Sequence, residues 1–81
     1  MNSLELIVAR TRKRKSRKDM AALLGKTSSS YAQKECGKTP FSVEEVALIS
    51  VDLDLTFEQF NTIFFDGRLP FGVTSESAPV P

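Results

Sequence analysis

Seven of the nine residues from Arg10 to Lys18 are cationic: Arg10, Arg12, Lys13, Arg14, Lys15, Arg17 and Lys18. The chemistry open to such a run is attraction of a polyanion. The net charge of the 81 residues is only +1, yet residues 1–40 carry +7 and residues 41–81 carry −6. A solvated, frayed helix end would show the same cationic run, so the run decides nothing unless other features agree. Catalysis is poorly provided for. There is no histidine, which excludes Ser–His and Cys–His nucleophiles and leaves zinc without its usual ligand set. The single cysteine, Cys36, cannot close an internal disulfide and reads as a small residue near a helix end. The expectation is a protein that is not an enzyme, with no metal and no cofactor.

Five short helices should position these groups. The first runs from Ser3, read as its N-cap, to about Arg14, with Leu4, Ile7 and Val8 as the apolar stripe and Leu6 widening it. Ser16 and Asp19 form a capping box that opens a second helix over Arg17–Leu24, where Met20, Ala21 and Leu24 share a face and Gly25 ends it. Thr27 or Ser28 caps a third helix that continues to Glu35 or Cys36 and closes at Gly37. Ser42–Glu45 and Thr56–Gln59 are further capping boxes, opening a fourth helix with Val46 and Ile49 inward and a fifth with Phe60, Ile63 and Phe64. Val51 to Leu55 alternates like a strand but is better read as a helix-to-helix turn burying two leucines. The fold class is therefore all-α: a folded domain over residues 1–66, then a tail over 67–81 that proline, glycine and small polar residues make irregular, its end mobile. No apolar run approaches the ~18–20 residues that span a bilayer. The N-terminus lacks a secretory pattern, so the expected location is the cytoplasm, without membrane contact.

The ordered set Leu6, Arg10, Arg17, Ala21, Leu24-Gly25, Thr27, Tyr31, Glu35 and Gly37-Lys38 resembles the lambda-repressor-like, Cro-type (XRE-family) DNA-binding domain of bacteriophage and bacterial regulators. The resemblance covers about residues 4–65, and the stretch Tyr31–Lys38 is similar to phage regulators of Gram-positive hosts. It implies a compact five-helix domain whose second and third helices form a helix-turn-helix, with the third read into the major groove. Under it, Ser28, Ser29 and Gln33 are the base-reading candidates, Gln33 foremost because its amide can bond adenine N6 and N7 together. Arg17, Lys18, Lys26, Thr27, Lys38 and Arg14 are the phosphate candidates, and Arg10 with Glu35 is a structural ion pair tying the first helix to the end of the third. The family favours glutamine where Arg17 stands, and arginine supplies the same phosphate contact with full charge. Lys15 and Lys34 stand where the family often places aliphatic residues.

The implied partner is a double-stranded DNA operator, bound by a Cro-like repressor; if phage-encoded, the protein acts in the cytoplasm of the bacterial host. Homodimerisation through the fifth helix and the Phe65–Phe71 segment follows from the same resemblance. The alternative is a module of this fold that binds a partner protein through the acidic fourth and fifth helices and the Phe-rich C-terminal segment (Phe57, Phe60, Phe64, Phe65, Phe71).

Overall fold

A computed structural model describes residues 1–70, and these form α1 (Ser3–Arg12), α2 (Arg17–Leu24), α3 (Ser28–Glu35), α4 (Val43–Asp52) and α5 (Phe57–Phe65). No strand occurs among the described residues. The expected tail beyond Pro70, including Phe71, lies outside them.

Each helix opens where a short polar side chain can satisfy the free amides of a first turn. Ser16, Ser42 and Thr56 each accept from the third helical amide while Asp19, Glu45 and Gln59 return a bond to the cap's own N–H, completing the three boxes. Thr27 caps α3 through Ser30 N. The start of α1 differs from expectation. Asn2, not Ser3, accepts from Glu5 N, because an extended Asn2 places its carboxamide over the turn and leaves Ser3 inside the helix. Its end differs too: α1 stops at Arg12, not Arg14.

The helices close by a recurring device. After α1, Arg14 N donates to Thr11 O and Lys15 N to Arg10 O, a paired closure that needs a left-handed residue at Arg14 (φ 59°). The same bonds recur after α3, with glycine at the left-handed position (Gly37, φ 90°), and after α4, with Asp54 (φ 52°). Val51 to Leu55 is thus the end of α4 and its turn, with Leu53 buried and Leu55 packed against the core.

The core consists of Leu6, Ala9, Met20, Ala21, Tyr31, Ile49, Leu53 and Ile63, with Leu23, Leu24, Phe41, Leu55 and Phe64 packed against it. The buried edge of α1 is therefore Leu6 and Ala9, and Leu4 faces solvent. A ring chain from Tyr31 through Phe41, Phe64 and Phe60 to Phe65, with centroids 5.3–6.1 Å apart, joins α3 to α5. Asn2 N donates to Ile63 O at 2.7 Å, fastening the start of α1 to α5. Buried Asn61 holds the backbone of Leu69 from both sides, at 3.0 and 3.1 Å, so the chain stays attached past the end of α5.

Candidate nucleic-acid interface

α2 and α3 pack against each other across a turn of Gly25, Lys26 and Thr27. The turn is tight because Gly25 takes a left-handed backbone (φ 67°) and Lys26 N returns to Ala21 O at 2.8 Å. Helical spacing then divides α3 into two faces. Tyr31 and Glu35, one turn apart, point into the molecule and are fully buried. Ser29 and Gln33, also one turn apart, point away from it and are exposed, with Ser28 exposed beside them. Among the described residues, the side chains of Ser28, Ser29 and Gln33 have no hydrogen-bond partner; the main-chain carbonyl of Gln33 accepts from Lys38 N at 2.9 Å, from Thr39 N at 3.4 Å and from Cys36 Sγ at 3.3 Å. Thr27 Oγ1 is engaged as the cap of α3.

The inward face of α3 carries the electrostatic centre. Glu35, 1% exposed, accepts from Arg10 Nε at 2.8 Å and from Tyr31 Oη at 2.9 Å through one oxygen. Its other oxygen accepts from Arg17 Nε at 2.9 Å and lies 3.5 Å from Arg10 Nη2. Arg10 Nη1 also donates to Lys15 O at 2.9 Å, so the guanidinium clamps the turn after α1. Burial pushes the Glu35 carboxyl up, but the hydrogen bonds from Arg10, Arg17 and Tyr31 outweigh it and hold the group below the ordinary carboxylate range. Burial, followed by the charge of Glu35, pushes the Tyr31 hydroxyl well above its ordinary value. The hydrogen bond to Glu35 raises the Arg17 guanidinium further still.

Arg17 thus has a second attachment that its place at the start of α2 did not announce. Its side chain remains 53% exposed, and its Nε bond to Glu35 is its one hydrogen bond among the described residues. The terminal nitrogens Nη1 and Nη2 make no hydrogen bond among the described residues. One buried carboxylate faces two guanidinium groups, so the cluster keeps one uncompensated positive charge and shows it to solvent at Arg17.

The remaining cations divide clearly. Arg14, Lys18, Lys26 and Lys38 are exposed, as are Arg12 and Lys13, and none has an ion pair among the described residues. Lys15 instead reaches Asp52 at 3.5 Å. Lys34 lies along Phe41, with Nζ 6.0 Å from the ring centroid, and donates to Glu45 Oε1 and Pro40 O. These two bind the domain together rather than decorate it. The Lys34–Glu45 pair explains how an acid of α4 comes to be buried, and Glu45 is held below the ordinary range first by its bond from Ser42 N and then by Lys34.

On α5, Phe65 is 40% exposed, while Phe60 and Phe64 are partly buried. No group of histidine, cysteine and acidic side chains capable of holding a metal occurs among the described residues, and no helix there is long and apolar enough to cross a membrane. Comparison with protein-family models, curated proteins and solved structures returns no match.

Proposed function

We propose that this protein is a sequence-specific regulator of transcription that binds double-stranded DNA, with α2 and α3 as a helix-turn-helix and α3 lying in the major groove. The observation that carries the reading is the two-sided character of α3. Its inner face is locked by Tyr31 and Glu35, and its outer face offers Ser29 and Gln33 with no internal partner. Side chains that read base edges must be free to bond outward and must sit on a backbone that does not move. Exposed Lys26 and Lys38 flank the two ends of α3, and Arg17 and Lys18 open α2, so phosphate contacts have donors around the reading face. The role is that of a Cro-type repressor, which blocks promoter DNA by occupying its operator.

The test is binding of the full chain to duplex DNA across a salt series. The logarithm of affinity should fall with the logarithm of salt at a slope of about −0.9 per neutralised phosphate. Arg17→Ala should weaken binding to all duplexes. A chain that shows no affinity for duplex DNA at low salt contradicts the proposal and returns the choice to a protein-binding module built on α4 and α5.

A further inference from the structure

The two arginines share the carboxylate of Glu35 unequally. Arg10 reaches both oxygens, at 2.8 and 3.5 Å, and its Nη1 is taken by Lys15 O, so this guanidinium serves the interior. Arg17 bonds the same carboxylate through Nε alone. A guanidinium held at Nε still presents a parallel pair of N–H donors on its far end, from Nη1 and Nη2. Those two nitrogens are the ones without a hydrogen bond among the described residues. An arginine paired one-to-one with an acid attracts a polyanion weakly, because the acid cancels its charge. Arg17 escapes that cancellation, since Arg10 already balances Glu35.

We infer that Glu35 is a positioning residue for the DNA contact: its bond to Nε holds Arg17 so that Nη1 and Nη2 clasp one backbone phosphate. The inference rests on the DNA-binding reading above and adds to it a buried residue that touches no nucleic acid. Arg17 becomes a bridge, with one bond inward and two outward. Its rotamer freedom is already restricted before DNA arrives, which removes part of the ordering cost of the contact. Exposed Lys18, the next residue, has no partner among the described residues and keeps that cost whole. The bridge also ties the phosphate to the reading face, because Glu35 and Gln33 lie on nearly opposite faces of one turn of α3.

A bridge of this kind requires a fork. Lysine carries the same charge at a single point, so an ammonium drawn to Glu35 turns away from the phosphate. Charge and geometry therefore separate at this position, and binding measurements can distinguish them.

The probe is a mixed-sequence duplex of about 20 base pairs, bound by the full chain in about 50 mM salt. Arg17→Lys should weaken binding at least about fivefold, nearly as much as Arg17→Ala. Glu35→Gln removes a negative charge near the interface, which by charge alone would tighten binding. Positioning predicts the opposite: a loss of at least about threefold that disappears when Arg17 is already alanine. Circular dichroism identifies the folded variants. If Glu35→Gln does not fold, the side-chain NMR spectrum of the wild type decides: the Arg17 Nε–H should exchange slowly with water in the free chain, and the terminal N–H signals should become restricted on addition of duplex. A wild type that binds duplex while Arg17→Lys stays within about twofold of it overturns the inference and leaves DNA binding intact. So does a folded Glu35→Gln that binds as tightly as the wild type, or a fast-exchanging Arg17 Nε–H. A wild type that binds no duplex overturns the DNA reading itself, and this inference with it.

Discussion

Arg17 Nε donates to Glu35 Oε1 at 2.9 Å, linking an exposed guanidinium at the start of α2 to a carboxylate sealed inside α3. The same carboxylate accepts from Arg10 and Tyr31, so three helices converge on it. Arg10 is largely buried and Arg17 is not, and the two arginines should answer to substitution differently. Arg10→Ala and Glu35→Ala each strand a buried charge and should cost about 3–5 kcal/mol in urea unfolding. The double variant should cost less than their sum, with a coupling of at least about 1 kcal/mol. Strict additivity would mean that the pair contributes nothing as a pair. Arg17→Ala should cost far less stability than Arg10→Ala while it weakens duplex binding, since Arg17 is half exposed and the buried Glu35 keeps its bonds from Arg10 and Tyr31.

The depressed carboxyl groups set the pH profile. Glu35 and Glu45 both have folded-state values below the ordinary 4.5, so their stabilisation is complete above that value and is lost as pH falls through the folded values. With no histidine in the chain, no side chain of ordinary type titrates between about pH 6 and 8. Thermal melts should show a plateau across that interval and a decline beginning below about pH 4.5. A decline that began near pH 6 would assign acid sensitivity to some other group.

Arg14 occupies a left-handed position that glycine takes after α3. Arg14→Gly should therefore raise stability by about 0.5–1 kcal/mol through relief of backbone strain. If Arg14 touches phosphate, the same change should reduce the salt slope by about one unit of the ~0.9 expected per contact. Stability and affinity would then move in opposite directions, which a pair of melts and a salt series can establish. An equal or lower melting temperature would show that the side chain makes a contribution that offsets its strain.

Gln33→Ala is expected to cost about 1–3 kcal/mol on a cognate duplex and to relax preference at one base pair. Its effect on a scrambled duplex should be small. Equal losses on both would reduce Gln33 to a general surface contact.

The legible parts of this sequence were those written in neighbouring residues. Three capping boxes, the Gly25 and Gly37 stops and the inward pairing of Met20 with Ala21 all depend on spacings of four residues or fewer, and α2 begins and ends where those signals put it. The N-cap of α1 was misread because Asn2 and Ser3 are both good caps, and only the backbone angles distinguish them. Its stripe was misplaced because Ala9 carries little hydrophobic signal yet fits where a larger side chain would not. The Arg17–Glu35 bond spans 18 residues, and the Lys34–Glu45 pair joins a base and an acid that look like solvated surface. Periodicity assigns a residue to a face but says nothing about which side chain approaches from the next helix.

Selection of bound duplexes from a random DNA pool tests the central claim most directly, with the wild-type chain and Gln33→Ala run in parallel. The wild type should enrich a defined base motif, and Gln33→Ala a motif degenerate at one position per half-site. A wild-type pool that remains random after repeated rounds would contradict sequence-specific recognition by the outer face of α3.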